Sequence, residues 1–186
     1  MQEAREAVRA AAMGGGPPVA LPGSYATVVL VEGVSDLVAV ETLAGRLGVG
    51  SGRALVVPLG GAMSIQRFVR VLSGVRLVGL CDLAERRFFE RAGLDRVIEC
   101  DSDLETELLR ALGHDSVLQA MDAAGDLAAF RVFQNQPAQR PRDLDSQLHR
   151  FLGTIGGRKE KYARVLVEAL DLARAPAPLL AVIEEF

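Results

Sequence analysis

The sequence has few of the residues that mark several common classes of protein. Its 186 residues include two cysteines, two histidines, two tyrosines and no tryptophan. Cys81 and Cys100 lie in apolar, strand-like segments without CxxC spacing, which predicts reduced, buried thiols rather than a zinc site or a disulfide framework. His114 and His149 lie in polar stretches without partners at the spacing of metal ligands, so we expect both to be surface residues.

Long apolar runs and an excess of positive charge are also absent. No apolar segment approaches the roughly 20 residues that cross a bilayer, and the N-terminus lacks the charged and apolar regions of a signal peptide. These absences predict a cytoplasmic protein without membrane contact. The net charge of −3 excludes a global basic field, so any contact with nucleic acid must be local. The hydrophobic content of 49% and charged content of 24% indicate a soluble, folded domain.

Strand and helix patterns alternate through the first half of the chain. Strands are predicted over residues 27–31, 54–59, 76–81 and 96–100. The first of these runs is continuously β-branched and apolar, which is typical of a strand covered on both faces, as in a parallel sheet. The segments between the runs have apolar residues at helical spacing and are predicted as helices over 35–47, 64–72 and 85–92. The alternation predicts an α/β fold, a Rossmann-like parallel sheet flanked by helices.

After about residue 101 the strand signal fades, and a helical C-terminal extension is predicted. Its predicted helices span 104–112, 116–124, 127–133, 144–152 and 159–172. At the other end, a helix over 2–13 precedes a Gly/Pro-rich segment, which indicates a linker or a cut end. Apolar residues in 179–183 are expected to dock on the sheet or on another subunit. The predicted divisions are an N-terminal helix and linker, an α/β core and a helical part that completes the domain, spanning 1–23, 24–103 and 104–186.

Acidic residues follow two of the predicted strands. Glu32 lies directly after the first strand, Asp36 in the first turn of the next helix, and Asp82 after the third strand. Ligands of open α/β sheets bind beyond the carboxyl ends of the strands. If the two strands are neighbours, the carboxylates converge and repel one another unless a cation lies between them. Mg²⁺ is the cation that such a group of carboxylates is expected to bind. Asp36 alone is also typical of a helix-dipole partner, whereas a buried, unpaired Glu32 would be costly.

Together these features resemble the TOPRIM pattern of topoisomerases, primases, RNA maturases and OLD nucleases. The pattern consists of Glu-Gly after an apolar strand, an acid four residues beyond the Glu, a Gly-Gly turn after the second strand and an Asp ending the third. Within that group the chain resembles the OLD (overcoming lysogenization defect) endonucleases most closely. The segments that carry this resemblance are 31–36, 59–62, 103–105 and 157–163. The resemblance covers nearly the whole chain after the linker and implies a nuclease domain without its ATPase domain.

The resemblance implies a Mg²⁺- or Mn²⁺-dependent DNA endonuclease or nickase, with an ATPase subunit supplied in trans as an expected partner. The implied metal ligands are Glu32, Asp36, Asp82 and Glu105. Glu32 would serve as ligand or general base, and Lys159 as a catalytic cation near the scissile phosphate. The implied contacts to the nucleic-acid backbone are Arg158, Lys159 and Lys161. Without the resemblance, these basic residues would predict only a solvated helical face.

One position departs from the TOPRIM pattern. The usual pattern has Asp-x-Asp at the end of the third strand, whereas here the second acid is replaced by Ala84. Glu85 or Glu105 would have to compensate. A second hypothesis is therefore a non-catalytic TOPRIM module that binds metal, nucleic acid or a protein partner, and a third is a ribonuclease of the RNA-maturase type. Phe130, Phe133 and Phe151 are expected to pack in the core rather than to stack on bases.

Overall fold

The computed structural model describes residues 1–50 and 52–186. The described residues form the strands β1 (Thr27–Val31), β2 (Ala54–Pro58), β3 (Arg76–Asp82) and β4 (Arg96–Cys100). Four α-helices precede or separate the strands, and two follow β4: α1 (Gln2–Gly14), α2 (Val34–Arg46), α3 (Ile65–Val71), α4 (Arg86–Arg91), α5 (Leu104–Leu112) and α6 (His114–Ala123). Four more follow: α7 (Leu127–Gln134), α8 (Leu144–Gly153), α9 (Arg158–Ala169) and α10 (Ala177–Ile183).

The four strands are parallel and lie in the order β2-β1-β3-β4. The two central strands, β1 and β3, are hydrogen-bonded neighbours, with Val31 opposite Leu80. From β1 the chain continues to β2 on one side, while β3 and β4 lie on the other, so the strand order reverses between β1 and β3. Such a reversal opens a crevice at the carboxyl ends of the strands, where ligands of α/β sheets bind. The predicted parallel α/β sheet is confirmed.

Helices cover both faces of the sheet, which explains why β1 and β2 are buried along their whole length. Successive side chains of a strand point to opposite faces. Val29 and Val31 therefore belong to one core with α2 and the C-terminal helices, whereas Val28 and Leu30 belong to another with α1, α3 and α4. Both cysteines, predicted as buried thiols, are buried and free. None of the described helices has the length and apolar character needed to cross a membrane.

The helical C-terminal part shares the first of these two cores with the sheet. Phe130, Phe133 and Phe151 are buried within it. The ring of Phe151 lies edge-on to the other two, with centroid distances of 5.2 and 5.4 Å. This is a favourable arrangement for buried aromatic side chains. The prediction that these residues pack in the core is confirmed.

Helix α10 packs against α2 and the strands β3 and β4. Leu179 and Val182 are fully buried against α2 and the β3–β4 edge, while Leu180 points outward and is 36% exposed. The helix predicted over 159–172 is wrong at its C-terminal end, because α9 stops at Ala169. There the guanidinium of Arg46 donates to the carbonyl oxygens of Val167 and Leu170, both at 2.7 Å. This contact from α2 satisfies carbonyl groups that a continued helix would have used.

Candidate metal centre

Two acids lie at the carboxyl ends of the two central strands. Glu32 is the first residue after β1, and Asp82 is the last residue of the neighbouring β3. Asp36 joins them from the first turn of α2, where its Oδ2 accepts a hydrogen bond of 2.8 Å from the backbone N–H of Gly33. The strand order thus brings together three acids, of which two follow β1 and one ends β3.

The Gly-Gly turn after β2 holds the backbone at Glu32. The N–H groups of Gly60 and Gly61 both donate to the Glu32 carbonyl oxygen, at 3.0 and 3.1 Å. Their φ values of 72° and 118° lie in the region that side chains disfavour. Glycine at these positions lets one turn direct two successive donors at a single carbonyl group, which positions the Glu32 side chain at the strand end.

Helices α5 and α9 close the site from the helical half. Glu105, in the first turn of α5, is 9% exposed, and the Lys159 Nζ of α9 lies 3.0 Å from its Oε1. The N–H of Leu104 donates to the carboxylate of Asp82. The loop before α5 is also tied to the turn after β3, since Leu83 N–H donates to the Ser102 carbonyl at 2.9 Å. Glu105 and Lys159 therefore lie beside the three acids at the strand ends, close enough that the charge of Glu105 adds to the pKa shift of each of them.

The pKa values of Glu32, Asp36 and Asp82 are all raised, and the charge of Glu105 contributes to each shift. Burial is the main cause that raises the pKa of Asp36 to about 7, and repulsion by Glu105 and Asp82 adds to it. Burial likewise raises the pKa of Asp82 to about 7, with Glu32 as the largest charged contributor. The pKa of Glu32 is raised by burial and then by Glu85, while Lys159 opposes the shift. One lysine does not balance this much negative charge.

The oxygen atoms of the centre fit a divalent cation. Glu32 Oε2 is buried and accepts no hydrogen bond from the described residues. Glu105 Oε1 is also buried, and its described neighbour is the ammonium group of Lys159. Buried carboxylate oxygens are costly unless a cation or donor compensates them. Carboxylate oxygens are the ligands that Mg²⁺ and Mn²⁺ accept.

A second group of possible ligands lies next to the first. Asp103, Glu105 and His149 each offer one ligand atom within 4.8 Å of the others, and no other three acids, cysteines or histidines among the described residues meet that distance. His149 Nε2 lies 2.7 Å from Asp103 Oδ2, and Asp103 also accepts a hydrogen bond of 2.8 Å from Thr106 N–H at the start of α5. The hydrogen bond to Asp103 raises the pKa of His149. Burial opposes ionisation of Asp103, yet hydrogen bonds from His149 and Thr106 lower its pKa.

His149 lies at the surface as expected, with 40% of its side chain exposed, but it has partners at ligand distance that the sequence spacing did not signal. It belongs to α8, which packs beside α5, and 46 residues separate it from Asp103. No local spacing in the sequence signals that contact, because it depends on how two helices pack. His114, by contrast, is exposed and lies 2.7 Å from the exposed Asp145, so its predicted surface position is confirmed.

The position that departs from the TOPRIM pattern lies at the rim of the centre. Ala84 is exposed in the 3-10 turn Leu83–Glu85 that follows β3. Glu85 in the same turn is half-buried, and its charge raises the pKa of Glu32. Glu85 and Glu105, the two acids considered as substitutes for the missing one, therefore both raise the pKa of Glu32.

The two other residues of α9 that were predicted to contact nucleic acid have neighbours of their own. The Arg158 guanidinium stacks 3.9 Å from the centroid of the Phe151 ring and donates to the Phe151 carbonyl at 3.1 Å. Lys161 pairs with Asp126 at 2.7 Å. Of the three, Lys159 has its described ion pair within the acidic centre. The assignment of Arg158 and Lys161 to nucleic-acid binding remains a prediction.

Comparison with known proteins gives a structural match but no sequence match. No protein-family model matches the chain, and no curated protein matches it significantly. The C-terminal region of the Burkholderia pseudomallei OLD protein is similar to it with a TM-score of 0.59 and 19% identity, over 86% of this chain and 96% of that one. The C-terminal region of the Xanthomonas campestris pv. campestris OLD protein gives 0.60 and 21%, over 88% and 95%. The chain therefore has the fold of the OLD C-terminal region, and the predicted α/β TOPRIM fold is confirmed.

Proposed function

We propose that this chain, which has the fold of the C-terminal region of OLD proteins, is a divalent-metal-dependent phosphodiesterase that nicks or cleaves DNA. The observation that carries the proposal is the convergence of four carboxylates and one lysine at the switch point of the sheet. Clustered titratable groups with raised pKa values in a crevice are typical of a reaction site. The OLD-like fold makes DNA the first substrate to test and an ATPase subunit in trans the first partner.

The residues that would hold Mg²⁺ or Mn²⁺ are Glu32, Asp36, Asp82 and Glu105. A bound divalent cation supplies Lewis acidity and stabilises negative charge on phosphate oxygens. Glu32 has a buried oxygen without a hydrogen bond, so it can accept a proton from an attacking water. Lys159 has a half-exposed side chain that reaches Glu105, and a substrate phosphate at this rim would share its charge.

Asp103 and His149 would extend the ligand set, in which Ala84 supplies no carboxylate. Both lie within ligand distance of Glu105, which belongs to the first group. An imidazole ligand favours Mn²⁺ over Mg²⁺, because imidazole binds transition metals and Mg²⁺ prefers oxygen. We therefore expect nicking with Mn²⁺ to exceed nicking with Mg²⁺, and His149→Asn to reduce the difference.

The test is nicking of supercoiled plasmid at several concentrations of Mg²⁺ and Mn²⁺. Glu32→Gln and Asp82→Asn should each lower the rate roughly a hundredfold or more, since each removes a charge from the reaction centre. Asp122→Asn removes an exposed acid of α6 and serves as the matched control. Nicking by both variants at the wild-type rate, or nicking that requires no divalent cation, would count against the proposal.

Ala84 favours a second candidate, a non-catalytic TOPRIM module that binds a cation without cleaving. Calorimetric titration with Mn²⁺ separates the two functions when it is combined with the plasmid assay. Binding that is lost in Asp82→Asn, together with no cleavage of DNA or RNA by wild-type protein, would support the second candidate. Cleavage of RNA but not of DNA under the same conditions would instead assign a ribonuclease of the RNA-maturase type.

A further inference from the structure

A groove with a volume of about 670 Å³ lies between α5 and α8, beside the candidate metal centre. Asp103 and His149 line one end of it, and both belong to the second group of possible metal ligands. The groove and the centre are therefore continuous. A nucleic-acid strand cleaved at the centre extends beyond it on both sides of the scissile bond, and this groove adjoins the centre.

The charge of the groove differs from that of the whole chain. Its lining includes Arg110, Arg142 and Arg150, although the net charge of the protein is −3. The two acids of the lining each face a histidine, since Asp103 lies 2.7 Å from His149 and Asp145 lies 2.7 Å from His114. Neither acid of the described lining forms an ion pair with an arginine of the groove.

Two of the three arginines have no ion pair among the described residues. Arg110 pairs with Asp101 at 3.1 Å. Arg142, in contrast, uses its Nε for the carbonyl of Ala138 at 3.1 Å, which leaves the rest of its guanidinium available. The side chain of Arg150 makes no hydrogen bond or ion pair within the described part of the chain. Guanidinium groups bind phosphate in a bidentate geometry, which suits them to a phosphodiester backbone.

The remaining lining indicates contact with a backbone rather than with bases. The hydroxyl groups of Thr106 and Ser146 also line the groove, but they already donate to the carboxylates of Asp103 and Asp143, so the arginines are its available donors. Among the described residues that line the groove there is no Phe, Tyr or Trp on which a base could stack. Proteins that bind single strands by their bases use such aromatic platforms. Cations without aromatic rings therefore favour binding with little sequence preference.

We propose that the α5–α8 groove binds the phosphate backbone of the nucleic-acid strand that extends from the metal centre, with Arg142 and Arg150 as its principal contacts. This inference rests on the proposed function, because it takes the metal centre as the place of cleavage. It differs from the sequence-based expectation, which assigned the backbone contacts to α9. There Arg158 stacks on Phe151 and Lys161 pairs with Asp126, so both already have neighbours.

The test is binding of a fluorescently labelled single-stranded DNA to the full chain in EDTA, measured by anisotropy across a range of salt concentrations. Arg142→Gln and Arg150→Gln should each weaken binding roughly tenfold, as expected for a lost hydrogen-bonded charge. The double variant should lower the slope of log affinity against log salt by about 1.4, since each phosphate contact on a single strand contributes about 0.7. Arg174→Gln is the matched control, because Arg174 is exposed, lies outside the groove lining and has no described side-chain partner.

Two outcomes overturn the inference. One is DNA binding by the groove variants that equals binding by Arg174→Gln, and the other is no binding of DNA or RNA by the wild-type chain. Neither depends on cleavage, so plasmid nicking by the wild type reports separately on the proposed function. The same losses with a labelled RNA would support the groove and change the substrate. Thermal unfolding of each variant checks the fold, which exposed arginines are not expected to affect.

Discussion

Asp36 and Asp82 show what the fold does to single side chains. Each is an ordinary acid by sequence, yet burial and the neighbouring carboxylates raise the pKa of each to about 7. An acid with a raised pKa stabilises the folded state while it is protonated and destabilises it once it ionises. The centre is therefore a region of electrostatic strain, which a bound cation would relieve.

The stability of the protein in EDTA should fall as pH rises. The pKa values of Asp36 and Asp82 are about 7 in the folded state against 3.8 ordinarily, so the stabilisation is complete below about pH 4 and is lost through pH 7. His149, whose pKa is also raised, acts in the same direction. We expect the melting temperature to drop by several degrees between pH 5 and pH 8. Asp36→Asn should flatten this dependence, and an equally steep curve for that variant would contradict the explanation.

Gly79 is a residue where packing leaves no room for a side chain. A Cβ added there would lie 2.5 Å from Phe89 Cδ1 and 2.7 Å from Leu94 Cδ1. Phe89 is fully buried, so Gly79→Ala should destabilise the protein by about 1–3 kcal/mol. Gly45, in α2, is the control because its Cβ would meet open space, and Gly45→Ala should stabilise by about 0.5–1 kcal/mol. Urea unfolding measures both, and equal effects would refute the packing argument.

Among the elements, α10 shows how the end of the described chain is held. Leu179 is fully buried, whereas its neighbour Leu180 is 36% exposed. Leu179→Ala should therefore cost about 2–5 kcal/mol in the free energy of unfolding, and Leu180→Ala well under half of that. Denaturant titration compares the two. Similar costs would mean that α10 does not dock as described.

The start of α5 combines a structural role with a proposed functional one at Asp103. The Asp103 carboxylate caps the helix through Thr106 and contacts His149. Asp103→Asn keeps a capping oxygen, so it should unfold like wild type but bind Mn²⁺ more weakly and lower the pKa of His149. Asp103→Ala should lose about 1 kcal/mol of stability as well. Calorimetry, unfolding and NMR titration of His149 measure these effects, and unchanged Mn²⁺ binding in both variants would remove Asp103 from the ligand set.

Helix and strand ends were predictable where the signal is local. The bounds of β4 and α5 match the predicted 96–100 and 104–112, because an apolar run is followed by Asp103 at the N-cap of a helix. The end of α9 was not predictable in this way. It is satisfied by Arg46, which lies 121 residues before Val167 and reaches it only through the packing of α2 on α9.

For the molecule as a whole, a divalent cation should act as a stabilising ligand. A cation at 100 times its dissociation constant adds about 2.7 kcal/mol to the stability of the folded state. We expect Mn²⁺ to raise the melting temperature by several degrees at pH 8 and by less at pH 5.5, where protons compete for the carboxylates. In EDTA at pH 8, Asp82→Asn should melt above wild type because it removes repulsion, and its response to Mn²⁺ should be smaller. A response of Asp82→Asn equal to that of wild type would exclude Asp82 from the binding site.

The sequence by itself determined the class of fold and the three acids that follow the first and third strands, whereas Glu105 was expected only from the resemblance to the OLD nucleases. Strand hydrophobicity, helix periodicity and an acid at a strand end depend on neighbours within a few residues, so they are visible in one dimension. The tertiary structure decided that β1 and β3 are adjacent, that His149 and Asp103 meet beside Glu105, and that Arg142 and Arg150 line one groove. These contacts join residues distant in the chain. Only the packing of helices and strands against a common core brings such residues within reach of one another.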